Sequence, residues 1–293
     1  MKYNLNHTTR YSYSDAVPVC HNIVHLRPRN LERQSYRDFQ MIVYPEPFDI
    51  HESIDSFGNG ETYFSIEQAH MGLTVTATCS VTVNDELAID YVAANRDSWE
   101  SIQSQLAFPG SPELIESSLF RFESQRVKPF PAVKEYALGS FTTGRPILDA
   151  CLDLTARIYK DFVYDPRATT VLTPIETVFE SRRGVCQDFA HFQIACLRSL
   201  GLACRYVSGY MRTYPPPGSV HLQGCDASHA WISVYCGDAG WIDFDPTNNL
   251  IPNNNYITVA WGRDYSDVCP IRGVILGGGN HQMTVSVDVI PEE

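Results

Sequence analysis

The sequence predicts an α+β fold, in which an all-β, sandwich-like N-terminal domain precedes helices packed on an antiparallel sheet. Three observations carry this. Residues 1 to about 95 hold extended runs split by turns, the apolar spacing switches to the helical period from 145, and alternating strands return from 204. The 293 residues suffice for roughly two domains of ordinary size. They divide into a β-rich domain over 1–95, a connector over 96–144 and a core over 145–293.

In the first segment, Phe39-Gln40-Met41-Ile42-Val43-Tyr44 and Leu73-Thr74-Val75-Thr76-Ala77-Thr78 read as strands, separated by Pro45-Glu46-Pro47 and Ser56-Phe57-Gly58-Asn59-Gly60. In the connector, Ser98-Trp99-Glu100-Ser101-Ile102 opens a short helix, and Pro109, Pro112, Pro129 and Pro131 punctuate the rest. Ile147, Leu148, Cys151, Leu152, Ala156, Ile158, Tyr159 and Phe162 approximate one apolar face of a long helix that ends before Tyr164-Asp165-Pro166. Thr173-Pro174-Ile175-Glu176 opens a second helix with a Thr cap, an early Pro and a Glu placed for a capping box, and Gly184 is placed to stop it. A third helix starts at about Cys186, buries Phe189, Phe192, Cys196 and Leu197, and stops at Gly201. Strands follow at 204–211, 229–235 and 241–245, with a last pair near 271–276 and 283–289.

Composition narrows the function classes. With 34 acidic against 22 basic residues the formal net charge is −12, which disfavours a nonspecific grip on nucleic acid or anionic lipid. The first residues lack the apolar run of a signal peptide and no stretch reaches transmembrane length, so a cytoplasmic location is the expectation. Nine cysteines at 20, 79, 151, 186, 196, 204, 225, 236 and 269 form no C-x-x-C pair. Neither a zinc site nor a disulfide framework is expected, and most of the thiols read as small core residues. No metal or other cofactor is implied.

One thiol stands apart. Cys186 lies in Arg183-Gly184-Val185-Cys186-Gln187-Asp188-Phe189-Ala190-His191, at the first turn of a helix. Unpaired N–H groups and a partial positive charge at such a position favour thiolate over thiol. Two partners follow in sequence. His229, Trp231, Ser233 and Tyr235 share one strand face, as do Trp241, Asp243 and Asp245 on the next strand. The five-residue link 236–240 is of hairpin type; folded symmetrically about 238, it sets 231 against 245 and 229 against 247. His229 and Asp245 then become diagonal neighbours within roughly 8 Å on one face. Cys186 would supply the nucleophile, His229 would move the proton, and Asp245 would fix the imidazole tautomer. Asp243 is a weaker candidate for the third role because it lies nearer the loop. Each residue alone also has a bland reading: a packed thiol, a satisfied histidine, a turn-opening aspartate. Asp188 and His191 share a helix face without further ligands nearby, and are assigned to capping or packing.

The segments Gly184 to His191, Arg205-Tyr206-Val207-Ser208-Gly209-Tyr210, Ala227-Ser228-His229-Ala230-Trp231 and Phe244-Asp245-Pro246-Thr247-Asn248-Asn249 closely resemble the bacterial transglutaminase-like proteins. The likeness continues through Gly262-Arg263-Asp264-Tyr265-Ser266-Asp267-Val268 and Gly277-Gly278-Gly279; upstream, Thr9-Arg10-Tyr11-Ser12-Tyr13 and Leu26-Arg27-Pro28-Arg29 look like the family's N-terminal β domain. The resemblance implies a papain-like core in which Cys186, His229 and Asp245 match the catalytic triad. It further implies thiolate attack on an amide and a thioester intermediate.

The acceptor then decides the activity. Water at roughly 55 M makes a hydrolase of peptide or isopeptide-like amides the default, with transamidation to an amine as the alternative and a noncatalytic binding module as a second alternative. Tyr164 is a candidate second oxyanion donor beside the Cys186 N–H. Trp231 and Trp241 are candidate cleft walls, and the proline-rich segment Thr213 to Val220 a stiff rim. Cys225, four positions before His229, departs from the small residue expected there and offers a reversible disulfide with Cys186; unchanged activity of Cys225→Ser under mild peroxide would remove that idea. The expected partner is a peptide or protein amide substrate.

Overall fold

A computed structural model of the chain describes residues 1–84, 96–213 and 227–292. The fold is α+β. The N-terminal half is a sandwich of two four-stranded antiparallel sheets built around β1 (Lys2–Val17), β2 (Val19–Val24), β3 (Gln34–Tyr44), β4 (Asp49–Ile54), β5 (Gly60–Ile66) and β6 (His70–Val83). Strict alternation explains β6: Leu73, Val75, Ala77, Cys79, Val81 and Val83 point inward while the residues between them stay partly solvated.

The connector of the sequence reading contains more helix than its prolines suggested. Three α-helices occupy it, α1 (Trp99–Ala107), α2 (Pro112–Ser118) and α3 (Pro131–Leu138), with a 3-10 turn at Leu119–Arg121. Pro112 and Pro131 stand in the first turn, where a missing N–H costs nothing, so they start helices instead of breaking them. Ile102, Leu106, Val133 and Ala137 are buried in the same core as the helices that follow.

Those are α4 (Ile147–Asp161), α5 (Ile175–Ser181) and α6 (Cys186–Ser199), with the short parallel pair β7 (Val163–Tyr164) and β8 (Arg183–Gly184) between them. The second helix is shorter than expected, and its caps differ. Pro174 itself takes the N-cap position, and the Thr173 hydroxyl instead accepts the Thr170 N–H at 2.9 Å, so no capping box forms. The stop is Arg182 in the left-handed conformation, its guanidinium over the rings of Phe162, Phe179 and Tyr136; Gly184 belongs to β8.

α6 packs on a third four-stranded sheet, ordered β11-β10-β9-β12, from β9 (Cys204–Met211), β10 (Ala227–Tyr235), β11 (Trp241–Phe244) and β12 (Tyr256–Gly262). After the short α7 (Tyr265–Val268), the last strands leave this core. β13 (Ile271–Leu276) pairs with β2, and β14 (His281–Pro291) pairs with β1, so the end of the chain, assigned to the core in the 145–293 division, completes the N-terminal sandwich.

The two halves share one interior. Tyr3, Leu5, Val81, Val83, Val287 and Val289, at one end of the sandwich strands, join the buried cluster that contains Ile194, Ile232 and Phe244. Gln34 adds a polar clamp, its amide both donating to the Thr258 carbonyl and accepting the Thr258 N–H at 2.8 Å. That contact satisfies edge backbone of β12 where a bulge interrupts its ladder with β9. Among the described residues, no helix is long and apolar enough to cross a membrane.

Candidate active site

Cys186 is the first residue of α6, half-buried, and three neighbours set its position. The parallel bridge between Tyr164 and Gly184 anchors the approach to the helix. Asp188, one turn in, accepts the Val185 N–H at 2.8 Å and the Thr169 hydroxyl at 2.6 Å, so its carboxylate caps the helix as the sequence reading assigned. Burial raises the Asp188 pKa, against the lowering effect of these two donors. Gly184 is required by proximity, since a Cβ there would lie 2.7 Å from the Asp188 carboxylate oxygen.

His229 sits on β10 opposite Gly209. A Cβ on Gly209 would come 2.0 Å from the Ile257 carbonyl oxygen and 2.6 Å from the Trp231 ring, which is why the strand carries glycine at this point. Gly209→Ala is expected to destabilise the protein by about 3 kcal/mol or more, because the obstructing atom is backbone that cannot swing away. Urea unfolding checks it, and a loss below about 1 kcal/mol would contradict so close an approach.

The hairpin has the register expected from its loop: Ser233 pairs with Asp243 and Tyr235 with Trp241, which continues to 231 opposite 245. The diagonal contact then closes, with His229 Nε2 2.7 Å from Asp245 Oδ2. Asp245 is fully buried and saturated with donors. Its Oδ2 also accepts the Tyr256 hydroxyl at 2.7 Å and the Asn248 side-chain amide at 2.7 Å, and its Oδ1 accepts the backbone N–H groups of Thr247 and Asn248. Cys186 lies close enough to the same imidazole to raise its pKa. Because Nε2 is committed to Asp245, Nδ1 is the ring nitrogen left for the thiol.

Electrostatics follow from this geometry. Burial opposes charge on His229, but the Asp245 hydrogen bond and the Cys186 contact outweigh it and raise the imidazole pKa to about 10. Burial likewise opposes the Asp245 carboxylate, yet the bonds to His229, Tyr256 and Asn248 hold its pKa below the usual value. The arrangement can hold an imidazolium between a carboxylate and a sulfur nucleophile.

Sequence reasoning missed Asn248 and Tyr256. Asn248 stands three residues after Asp245, where a turn folds back; Tyr256 comes from a separate strand, and nothing local announces it. Asp243, the weaker candidate, bonds Arg33 and the Trp231 indole, each at 3.0 Å, and does not reach the histidine's place. Trp231 is fully buried and stacks on His229 at 6.1 Å between ring centres, so it supports the imidazole from beneath and cannot wall a cleft. Trp241 is half-buried and packs on Arg205, Phe120 and Tyr235, away from Cys186. Tyr164 is 55% exposed and close enough to Cys186 that the thiol's charge, second to burial, raises its pKa. His191, buried against Tyr206, accepts the Tyr265 N–H at 3.1 Å as a neutral ring, its pKa pushed down by burial to about 3. Cys225 and the rim segment after Thr213 lie outside the described residues. Among the described residues no cluster of His, Cys, Asp and Glu is built to hold a metal ion.

The chain is similar to several known proteins. An uncharacterized protein of Mycobacterium tuberculosis is 40% identical over 298 residues, spanning 100% of this chain and 93% of its own length. A protein-glutamine gamma-glutamyltransferase of Pseudomonas aeruginosa is 29% identical over 107 residues, 34% of this chain and 16% of that protein. A crystal structure from Cytophaga hutchinsonii, provisionally named a cysteine protease, superposes with a TM-score of 0.74 at 22% identity, covering 100% of this chain and 92% of that one. Residues 3–82 match the bacterial transglutaminase-like N-terminal region, and residues 136–246, which contain Cys186, His229 and Asp245, match the transglutaminase-like superfamily. The chain therefore belongs to the transglutaminase-like superfamily and carries its bacterial N-terminal region.

Proposed function

We propose that the protein is a cysteine hydrolase of peptide or isopeptide-like amides that works in the cytoplasm through a thioester acyl-enzyme. The observation that carries this reading is the contact of Cys186, at a helix start, with an imidazole whose far nitrogen is held 2.7 Å from a buried carboxylate. The thiolate sulfur attacks the amide carbon, and the oxyanion is received by the unpaired Cys186 N–H of the first helical turn, with the Tyr164 phenol as second donor. His229 gives its proton to the leaving nitrogen as the C–N bond breaks. Water then attacks the thioester carbon, His229 takes its proton, and the thiolate leaves with the acid released.

Transamidation, in which a primary amine replaces the water, is the second reading. It is favoured by the relative named as a protein-glutamine gamma-glutamyltransferase, which aligns with 34% of this chain. The test is a screen of wild type against Cys186→Ala on peptide, glutamine-donor and γ-glutamyl amide substrates, with and without added amine. Acid product that depends on Cys186 supports the hydrolase, and amine incorporation outpacing it supports the transferase. Equal signals from wild type and variant on every substrate would sink both and leave a binding module.

A further inference from the structure

On the sheet face shared with His229, a cavity of about 370 Å³ opens between β9, β11, β12 and the loop around Arg33. Arg205 lines it and pairs with Ser233, four residues along β10 from His229 or roughly 13 Å at the usual rise per residue. Cys186, His229 and Asp245 take no part in its lining. This is where Trp241, first read as a cleft wall, actually faces open space.

Arg205 is held in an unusual way. Its guanidinium carbon lies 3.6 Å from the centre of the Trp241 ring and 4.5 Å from that of Trp261, so the cation is flanked by two indoles. Among the described residues none accepts a hydrogen bond from it, and its buried Nε has no partner at all. A guanidinium has five N–H donors; here Nε alone is both buried and unpaired, and the terminal N–H groups are left for a partner from the cavity. Burial, and then the nearby charge of Arg29, which lies over the same Trp261 ring, depress the Arg205 pKa to about 9. An anion on the terminal N–H groups would offset this unfavourable burial of charge.

The lining carboxylates do not fill that role. Asp243 already bonds Arg33 and Trp231 through its Oδ2, and Glu32 is exposed at the mouth. The formal charges of Arg33, Arg205, Glu32 and Asp243 cancel, so selectivity comes from unpaired donors and not from net charge. Most of the remaining wall is apolar, including Val207 and Ile251. A small hydrated polyanion would be poorly compensated there, whereas a singly charged carboxylate on an apolar body matches both halves of the site.

We propose that this cavity is a binding site for a small organic carboxylate with an aromatic or apolar body, its carboxylate paired with the Arg205 fork and its body against the indoles and Ile251. It is separate from the proposed thiol chemistry, but Asp243 and Trp231 connect the two: the indole that donates to Asp243 is the one stacked under His229.

The full chain, titrated with benzoate, benzamide and inorganic phosphate, tests it through intrinsic fluorescence, because Trp241 and Trp261 are two of the four tryptophans. Benzoate is expected to give a saturable change, at least about tenfold tighter than benzamide or phosphate, and Arg205→Gln to weaken it by at least about tenfold. Trp241→Leu should weaken it with Arg205 retained. The comparison of benzoate with benzamide on wild type stands even where a variant does not fold. An absent benzoate response, equal binding of benzamide or phosphate, or a response that survives in folded Arg205→Gln would each overturn the proposal.

Discussion

Cys186→Ala is expected to lower turnover of any amide substrate the screen identifies by about 10⁴-fold or more, while leaving the fold in place. The sulfur is the atom that forms the acyl bond in the proposed mechanism, and the alanine methyl has no lone pair to replace it. The structural cost is small because Cys186 is half-buried and alanine favours a helix, so the thermal midpoint should move by no more than about 4 °C. A second readout separates loss of the nucleophile from general damage. The Cys186 contact, after the Asp245 bond, helps raise the His229 pKa, so an NMR titration of the His229 ring should show a lower midpoint in the variant than in wild type. Undiminished turnover in pure Cys186→Ala would remove the thioester mechanism.

Asp245→Asn should lower activity by about 10²–10⁴-fold through the tautomer, with little change in shape. The carboxylate only accepts hydrogen bonds, and both of its oxygens are occupied by donors. An amide must place NH₂ at one of them. Turned toward the ring, it would donate to Nε2 and drive the proton to Nδ1, where the imidazole no longer accepts one from the thiol. Turned the other way, it would face the Thr247 and Asn248 N–H groups. Asp245→Ala, which leaves the donors and the imidazole unpaired, should cost about 3–5 kcal/mol.

The pH dependence of stability follows from the same pair. The His229 pKa is raised above its ordinary 6.5, so its contribution is complete below that value and is lost as pH climbs toward about 10. The Asp245 pKa is lowered, so its contribution is present above its ordinary 3.8 and is lost as pH falls below that. Urea midpoints at pH about 5, 7 and 9 should therefore decline toward high pH in wild type and flatten in Asp245→Ala. Parallel curves would show that the pair does not carry the slope.

Much of this site was legible before the fold was known, for a local reason. A helix start, a two-residue strand period and a five-residue loop are short-range properties, and together they put Cys186 on α6 and brought His229 and Asp245 to one face in the observed register. The caps of α5 were misread because Thr173 and Pro174 compete for neighbouring positions, and propensity does not say which wins. The helix at Trp99 was anticipated, but α2 and α3 escaped notice because proline reads as an interruption until the residue before it is seen to begin a turn.

What the sequence by itself determined was the order of elements and the identity of three converging side chains. Only the tertiary structure decided what surrounds them. Tyr256 reaches Asp245 from β12, Trp231 is sealed beneath His229, and β13 and β14 return across the whole chain to close the N-terminal sandwich. Each depends on pairing between strands far apart in sequence. An alternating strand specifies which face is buried but not which partner will cover it, so that choice falls to packing of the assembled chain.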